Sequence, residues 1–331
     1  MSGWKLDDGF STRIASTFGP EGADWLDDLP ERVERLTGRW GIEEITPCAD
    51  LNYAWVAFAR CSSGPVVVKL MASPGEFRAE VYALLRFPAG SACRLLDRDV
   101  DASAMLLERL VPGTALREVR SFATRVEVAA DTMRRLHYGR RSARRPGVQR
   151  DELPPQPPPS YADQARRAWL SAMGRLAGSP AGWEASLLES ARRARGLLHA
   201  TACGGTRPGR AGEPLLHADL HHDNILRAGH AWRCIDPKGV TGPLALEPAR
   251  FIVNQFDEAP ADQRERQFHR MVGVFASALG VEPSAVAAGA AVDAAVSACW
   301  SLEDGECDAE MKRTAHRAAA IRGFAQGWLE D

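Results

Sequence analysis

Apolar residues recur along this chain with two different periods, which predict strands in one part and helices in the other. Between residues 45 and 110, short apolar and β-branched runs at 65–70 and 104–110 are typical of strands. The main helical pattern there covers 76–85, after a Ser-Pro pair that is a common helix start. Beyond a turn at 112–113, helical spacing dominates. The pattern therefore predicts an α+β fold with two lobes, a small β-rich lobe with one main helix and a large helical lobe.

The same pattern predicts where the chain divides. Helical spacing over 31–40 indicates an N-terminal helical cap formed by residues 1–44. Residues 45–111 then form the small lobe, and residues 112–331 form the large one. Within the large lobe, helices are expected at 122–138, 161–200, 247–257, 261–279, 284–301 and 308–328.

Composition narrows the class of protein. The chain has 331 residues, 45% hydrophobic and 25% charged, as in ordinary globular proteins. A formal charge of -2 does not indicate a nucleic-acid-binding surface. The arginines at 140–150 therefore indicate a solvated loop, and the prolines after them indicate a stiff spacer. Seven scattered cysteines indicate reduced thiols, and neither a signal segment nor a run of 18 apolar residues is present. We expect a cytoplasmic protein without nucleic-acid or membrane partners.

The most informative motif runs from His217 to Asn224 and has the spacing H-x-D-x-x-x-x-N, with Asp236 twelve residues further on. Kinases of the protein-kinase-like fold use this spacing for a catalytic Asp and two magnesium ligands. Asp219 would orient the acceptor hydroxyl and take its proton late in the reaction. Asn224 and Asp236 supply the oxygen ligands that Mg²⁺ prefers, and His217 would hold the loop.

A zinc site is the alternative for this segment. His217, His221, His222 and Asp223 are all possible zinc ligands. The chain has no HExxH motif and no CxxC pair to support them, and the ligands at Asp219, Asn224 and Asp236 are oxygens. Magnesium is therefore favoured.

A kinase also needs a strand lysine for the triphosphate and a helix glutamate that fixes it. Lys69 closes the predicted strand at 65–70 and is the candidate for the α- and β-phosphates. Glu80, on the helix that follows, would pair with Lys69, and Glu76 is the fallback. Such a pair alone is common, but it gains weight from the motif downstream.

The adenine contact and the phosphate-covering loop are less typical. The strand at 104–110 runs into a turn suited to a hinge, where backbone groups of Glu108, Arg109 and Leu110 could read the adenine edge. The segment 47–56, where protein kinases carry G-x-G-x-x-G, contains no glycine, although Asp50 and Asn52 still favour a hairpin turn. No P-loop motif is present either.

At these residues the chain resembles the aminoglycoside phosphotransferase superfamily, and within it the aminoglycoside/hydroxyurea antibiotic resistance kinases, which include streptomycin 6-phosphotransferases. The resemblance is strongest at 216–224 and at 235–239, where Asp-Pro-Lys-Gly is the specific marker. It extends over most of the chain through 25–30, 40, 68–70, 107–109, 112–113 and 136–137.

This resemblance implies a protein-kinase-like fold, ATP with Mg²⁺, and transfer of the γ-phosphate to a hydroxyl of a small molecule. A role in antibiotic resistance follows from kinship alone. Two positions depart from the family pattern. Ala218 replaces the usual Gly of the catalytic loop, and Glu247 stands where an Asp is common. Neither removes a reacting group, but Glu247 could change how the loop is braced.

The acceptor is predicted to be a hydroxylated small molecule, most simply a cationic aminoglycoside such as streptomycin. Carboxylates would line its cleft. Alternatives are that the acidic run near 303–308 is a solvated loop, that the acceptor is a sugar, amino sugar or amino alcohol, or that the chain is a nucleotide-binding pseudokinase. The candidate acceptor residues are Asp223, Trp300, Glu303, Asp304, Glu306 and Asp308, with Asp151 and Glu152 as further acidic residues on the insert.

Overall fold

The structure, a computed structural model, describes residues 6–49, 51–139, 158–176, 178, 180–200 and 212–329. Several features noted in the sequence lie outside these residues. They are Asp50, the arginines at 140–150, Asp151, Glu152, the prolines at 154, 155 and 157, and Cys203.

The small lobe is an antiparallel five-stranded sheet in the order β1-β2-β3-β5-β4. A kinked helix covers one face and a shorter helix covers the other. The elements are α1 (Asp8–Arg39), β1 (Ile42–Pro47), β2 (Ala54–Cys61), β3 (Gly64–Met71), α2 (Pro74–Arg86), β4 (Leu95–Asp99) and β5 (Ala104–Glu108).

Alternation along the strands divides the small lobe into two apolar layers. Val66, Val68 and Leu70 of β3 join the core under α1, together with Trp55 and Leu36. The opposite face of the sheet packs on α2. Because side chains of a strand alternate between faces, Lys69 points to the α2 side. The lysine therefore points toward α2, the helix that carries its predicted partner Glu80.

Local signals fix both helices of the small lobe. Ser73 caps α2 by accepting a hydrogen bond from the N–H of Glu76 at 3.3 Å, and proline occupies the first turn, as the Ser-Pro pair predicts. The first helix is much longer than the expected 31–40 segment. It begins at an Asp7 cap and bends at Gly19, where φ is 60°.

The large lobe is helical and carries two small sheets that flank the segment from His217 to Asn224. One sheet has the order β6-β8-β9, and the other pairs β7 with β10. Its elements are β6 (Pro112–Ala115), α3 (Phe122–Tyr138), α4 (Tyr161–Arg175), α5 (Trp183–Ala200), β7 (Leu215–Leu216), β8 (Ile225–Ala228), β9 (Ala231–Cys234), β10 (Val240–Thr241), α6 (Ala249–Glu258), α7 (Arg264–Leu279), α8 (Pro283–Glu303) and α9 (Asp308–Leu329).

Helix α8 is the centre of the large lobe. Every residue from Ala285 to Cys299 is buried, and α4, α5, α6, α7 and α9 all pack around the helix. Within the described part of the chain it is the one helix long and apolar enough to cross a membrane, but 83% of its apolar window is buried inside the protein. A helix that is apolar on all sides is here explained by burial on all sides.

The predicted fold class is therefore confirmed: a small β-rich lobe joins a large helical lobe. The large-lobe helices fall close to the expected segments. The helices expected over 161–200 are α4 and α5, separated by residues 176–182. Glycines at 178 and 182 have positive φ there, a conformation that does not continue an α-helix.

A glycine in α8 should be required by its packing. A Cβ at Gly289 would lie 2.7 Å from the carbonyl oxygen of Ala245, which belongs to a short 3₁₀ helix beneath α8. We expect Gly289→Ala to lower the free energy of unfolding by about 1–3 kcal/mol through overpacking. Urea unfolding measures this change.

The control is Gly273→Ala in α7, where a Cβ would meet no atom within 4 Å. This variant should gain up to about 1 kcal/mol from helix propensity. Equal stabilisation by both substitutions would contradict the close approach of α8 to residue 245.

Candidate active site

Three predicted site residues meet between the lobes. Lys69 Nζ lies 2.6 Å from Glu80 Oε2 and also contacts Asp236 Oδ1, from the segment after β9. Lys69 is 6% exposed and Glu80 is 2% exposed. Burial would lower the pKa of Lys69, but the two carboxylates raise it above its ordinary value. Burial raises the pKa of Glu80 to about 7, since the charge of Lys69 opposes the rise only in part and the charge of Asp236 adds to it.

Glu76, the fallback partner, is affected by the charge of Lys69 but forms no ion pair with it. Burial raises the pKa of Glu76, and the charges of Lys238 and Lys69 oppose the rise. The structure therefore pairs Lys69 with Glu80, as first expected, and leaves Glu76 beside the cleft.

The catalytic loop between β7 and β8 holds Asp219 and Asn224 in contact. Asn224 Nδ2 donates to the carbonyl oxygen of Asp219 at 2.9 Å, so the amide oxygen remains available as a ligand. The Asp219 carboxylate lies 3.3 Å from Arg250 Nε. Burial would raise the pKa of Asp219, but the charges of Lys238 and Arg250 outweigh burial and lower the pKa. Asp219 is thus an ionised carboxylate in a positive setting.

Glu247 braces this loop. Its carboxylate accepts the backbone N–H of His217 at 3.0 Å and that of Ala218 at 3.2 Å, and it lies 2.7 Å from His137 Nε2. The side chain is fully buried. Hydrogen bonds and nearby histidines lower the pKa of Glu247 against the effect of burial. The departure from Asp noted in the sequence therefore keeps the bracing role.

Two non-glycine residues of the site have left-handed backbone. Ala218 has φ 58° and Asp236 has φ 61°. This explains why glycine would suit position 218, and it shows that the alanine pays a conformational cost of about 1–2 kcal/mol. Glu247 and His217, which bind the loop on both sides of this residue, hold it in that conformation.

Arg250 and its partners were not identified from the sequence. From α6, Arg250 donates to Ser297 Oγ at 2.8 Å and lies 3.3 Å from Asp293 Oδ1, both on α8. The Tyr161 hydroxyl donates to the same Asp293 oxygen at 2.8 Å. This buried network aims one arginine at Asp219. Arg250 is 43 positions from Asp293, which is 132 positions from Tyr161, and these residues share no motif, so no sequence signal joins them.

The acceptor candidates fall in two places. Trp300 lies next to the catalytic loop, because both Lys238 and Arg250 sit over its ring, at 4.2 Å and 5.7 Å from the centroid. Asp223 is instead paired with Arg117 through both carboxylate oxygens. Glu303 and Asp304 close the C-terminal end of α8.

The small lobe reaches this end of α8. The Tyr53 hydroxyl, in the glycine-free segment before β2, hydrogen-bonds to the Asp304 carboxylate. Burial and the charge of Asp304 raise the pKa of Tyr53 to about 12. Phe18 packs edge-on against Tyr53, and Arg13 donates to Leu51 O at 3.2 Å. The segment is thus tied to α1 on one side and to α8 on the other.

The predicted hinge follows β5. The Glu108 carboxylate binds Arg94 and Arg233, each at 3.1 Å, and Arg109 stacks 4.1 Å over the ring of Phe58. Leu110 is buried, and within the described residues its N–H has no backbone partner. Because the side chains of Glu108 and Arg109 contact protein partners, the backbone groups of this segment are the ones available to the adenine edge.

The zinc alternative does not fit the geometry. His217 Nε2 lies 2.8 Å from the carbonyl oxygen of Ile235, and His222 Nε2 lies 2.7 Å from Glu258 Oε1. In the part of the chain that the structure describes, no three His, Cys, Asp or Glu side chains are grouped to hold a metal. Asn224 and Asp236, an amide and a carboxylate facing the cleft, fit Mg²⁺, which takes few protein ligands and completes its shell with phosphate and water.

Removing the charge of Glu247 should cost stability. A glutamine offers one acceptor oxygen where the carboxylate offers two, so a buried backbone donor of His217 or Ala218 loses its partner. We expect Glu247→Gln to lower the free energy of unfolding by about 1–3 kcal/mol at pH 7, measured by urea unfolding. Glu127→Gln, at an exposed position of α3, serves as the control and should change little.

The pH dependence of unfolding tests the charge itself. The folded pKa of Glu247 lies below its ordinary value of 4.5, so its stabilisation is complete above that pH and is lost as the pH falls through the folded pKa. The wild type should therefore lose stability more steeply below about pH 4.5 than Glu247→Gln does. Parallel pH curves for the two proteins would contradict the brace.

Comparison with known proteins gives matches that include the catalytic loop. The model of the aminoglycoside/hydroxyurea antibiotic resistance kinase family matches residues 209–305. Streptomycin 6-kinase from Streptomyces glaucescens is 26% identical, over 96% of this chain and 97% of its own. Hydroxyurea phosphotransferase from Kitasatospora aureofaciens is 28% identical, over 87% of this chain and 77% of its own.

The fold has solved counterparts. A crystal structure of aminoglycoside phosphotransferase APH(4)-Ia, in a ternary complex with AMP-PNP and hygromycin B, aligns with a TM-score of 0.60 at 15% identity, over 91% of this chain and 99% of that one. At this identity the likeness concerns the fold alone. The family match over residues 209–305 and the two relatives show that this chain is similar to the aminoglycoside/hydroxyurea antibiotic resistance kinases, the family that its motifs indicated.

Proposed function

We propose that this protein transfers the γ-phosphoryl group of ATP, with Mg²⁺, to a hydroxyl of an aminoglycoside such as streptomycin. The observation that carries the proposal is the meeting of Lys69 and Glu80 of the small lobe with Asp236 of the large lobe, beside Asp219. Relatives named as a streptomycin 6-kinase and a hydroxyurea phosphotransferase support this reaction class.

The small lobe would hold the nucleotide. Lys69, kept protonated by two carboxylates, is a fixed positive charge for the α- and β-phosphates. The N–H of Leu110 would donate to the adenine edge, while the side chains of Glu108 and Arg109 are occupied by protein partners. Asn224 and Asp236 would hold magnesium, which neutralises phosphate charge when it is bound.

The large lobe would hold and activate the acceptor. Asp219 accepts a hydrogen bond from the acceptor hydroxyl and orients its oxygen in line with the γ-phosphorus. The new P–O bond forms as the bond to the β–γ bridging oxygen breaks, and the hydroxyl proton passes to Asp219 late. A carboxylate with a lowered pKa is a weak base, so Asp219 would act mainly by orienting the acceptor hydroxyl. This suits a loose transition state, in which the oxygen needs little activation.

Unneutralised carboxylates at the end of α8 favour a cationic acceptor. Among the described residues, Glu303 and Glu306 have no cationic side chain within 4.0 Å, whereas Asp308 pairs with Lys312 at 2.6 Å and Glu310 with Arg313 at 2.6 Å. The guanidinium groups of streptomycin would complement such carboxylates. We propose Glu303, Asp304 and Glu306 as the acceptor-binding end of the cleft.

Incubation with MgATP and a panel of hydroxyl acceptors tests the function. The panel contains streptomycin, other aminoglycosides, hydroxyurea, an amino sugar and choline, with product mass as the readout. We expect one added phosphate on streptomycin. Transfer to hydroxyurea or to a metabolite alcohol alone would overturn the aminoglycoside assignment, and nucleotide binding without any product would favour a pseudokinase.

Replacing Asp219 with Asn should abolish turnover while the nucleotide still binds. The amide keeps the size of the side chain but cannot accept the acceptor proton, so we expect kcat to fall by about 10²–10⁴-fold. Affinity for ADP with Mg²⁺, measured by titration calorimetry, should remain within about threefold because Asp219 does not touch the nucleotide in this scheme. A variant with wild-type kcat would remove Asp219 from the reaction.

Neutralising the acidic end of α8 should weaken acceptor binding alone. We expect Glu303→Gln combined with Glu306→Gln to raise KM for streptomycin by about tenfold, with KM for ATP nearly unchanged, since each lost charge pair costs up to about 1 kcal/mol. Glu127→Gln on α3 is again the matched control. An unchanged KM for streptomycin would reassign these carboxylates to a solvated surface.

A further inference from the structure

The turn that carries Lys238 is fixed at three points. The backbone N–H of Lys238 donates to the carbonyl oxygen of His217 at 2.9 Å, which joins the turn to the catalytic loop. Gly239 has φ 62°, and a Cβ there would lie 2.2 Å from the carbonyl oxygen of Ala79 on α2. Asp236 contacts Lys69. The backbone of this lysine is therefore set between the lobes with little freedom.

The side chain of Lys238 is held without being neutralised. Its Nζ lies 4.2 Å from the ring centroid of Trp300, a cation–π contact. No carboxylate of the described residues lies within 4.0 Å of Nζ, although several surround the cleft. A positive charge that is aimed by an aromatic ring and left without an anion is suited to receive one.

The other two cations of the site have other roles. Lys69 contacts Glu80 and Asp236 and is the proposed contact of the α- and β-phosphates, and Arg250 is bound to Asp293 and Ser297. Lys238 is the cation near Asp219 that forms no ion pair within the described residues.

Lys238 lies where the two lobes meet. Its backbone N–H binds the carbonyl oxygen of His217 in the catalytic loop, and its neighbour Gly239 lies against Ala79 of α2. In keeping with this position, the charge of Lys238 lowers the pKa of Asp219 in the large lobe and opposes the rise in the pKa of Glu76 in the small lobe.

The composition of the chain points the same way. Only four lysines, Lys5, Lys69, Lys238 and Lys312, occur among its 41 lysines and arginines, and two of the four are at this site. An ammonium is a compact point charge with three donors that can follow a moving oxyanion, whereas a guanidinium is a rigid planar fork. Two of the four lysines in this arginine-rich chain therefore lie at the site.

We propose that Lys238 is a catalytic residue whose ammonium hydrogen-bonds the oxygens of the transferring phosphoryl group, with Trp300 as its positioning residue. This inference rests on the proposed phosphotransfer. Lys238 remains protonated throughout, and it neutralises charge while the P–O bond to the acceptor forms and the bond to ADP breaks. Its positive charge would act in the transition state on oxygens that the glycine-rich loop of protein kinases covers, and segment 47–56 contains no glycine.

Lys238→Met removes the charge and keeps the length of the side chain. We expect kcat to fall by about 100-fold or more, with KM for both substrates within about threefold, because the contact strengthens in the transition state. Lys238→Arg should restore at least a tenth of the wild-type kcat, and Trp300→Leu should give an intermediate loss. Lys312→Met, the same change at an exposed lysine paired with Asp308, should stay within twofold of wild type.

A second measurement uses no acceptor, so its result does not depend on whether streptomycin is the substrate. Affinity for ADP is measured by calorimetry with Mg²⁺ alone and with Mg²⁺ and aluminium fluoride, which mimics the transferring phosphoryl group. The tightening caused by fluoride should be at least tenfold smaller in Lys238→Met than in wild type and Lys312→Met. Equal tightening, or a raised KM with unchanged kcat, would overturn the proposal.

If wild type tightens its hold on ADP with aluminium fluoride but phosphorylates none of the panel, the acceptor assignment fails and the role of Lys238 stands. If wild type shows no tightening at all, the proposed reaction class itself fails. A Lys238→Met protein that does not fold would shift the decision to Lys238→Arg and Trp300→Leu. Wild-type kcat in Trp300→Leu would then overturn the positioning role of the ring.

Discussion

One buried ammonium joins the two lobes at the site. Lys69 leaves β3 on the α2 side of the sheet and meets Glu80 of its own lobe and Asp236 of the other. Taking these charges out of water is costly, and the cost is recovered only while the partners stay in place. The direction of Lys69 and the order of the carboxylates around it therefore depend on a single contact shared by the two lobes.

The large lobe supplies a rigid support for that contact. Glu247 fixes the catalytic loop through two backbone donors, and Arg250 fixes the Asp219 side chain from α6. Both rest on α8, through the 3₁₀ helix over Gly289 and through Asp293. Groups that must act on a transferring phosphoryl within a fraction of an ångström are thus attached to the most buried helix of the described chain.

Much of this arrangement could be predicted from local sequence. The strand period that ends at Lys69, the Ser73 cap and the spacing from Asp219 to Asp236 are local patterns with a direct physical meaning. The bracing network was not predictable in the same way, because Tyr161, Arg250 and Asp293 meet only after α4, α6 and α8 have packed. The sequence indicated Trp300 because acidic residues follow it, but in the structure its ring contacts the cations of Lys238 and Arg250. Packing between distant helices, not residue type, decides such contacts.

The burial of α8 also affects how the chain folds during its synthesis. A helix that is apolar on every face has no exposed side to keep it soluble, so it is stable only when its neighbours cover it. During synthesis α4 and α5 leave the ribosome well before α8, and the apolar stripes with which they meet it have no native partner until then. The large lobe is therefore expected to fold late and as a unit, and a chain halted before α8 would present uncovered apolar surface to chaperones and proteases.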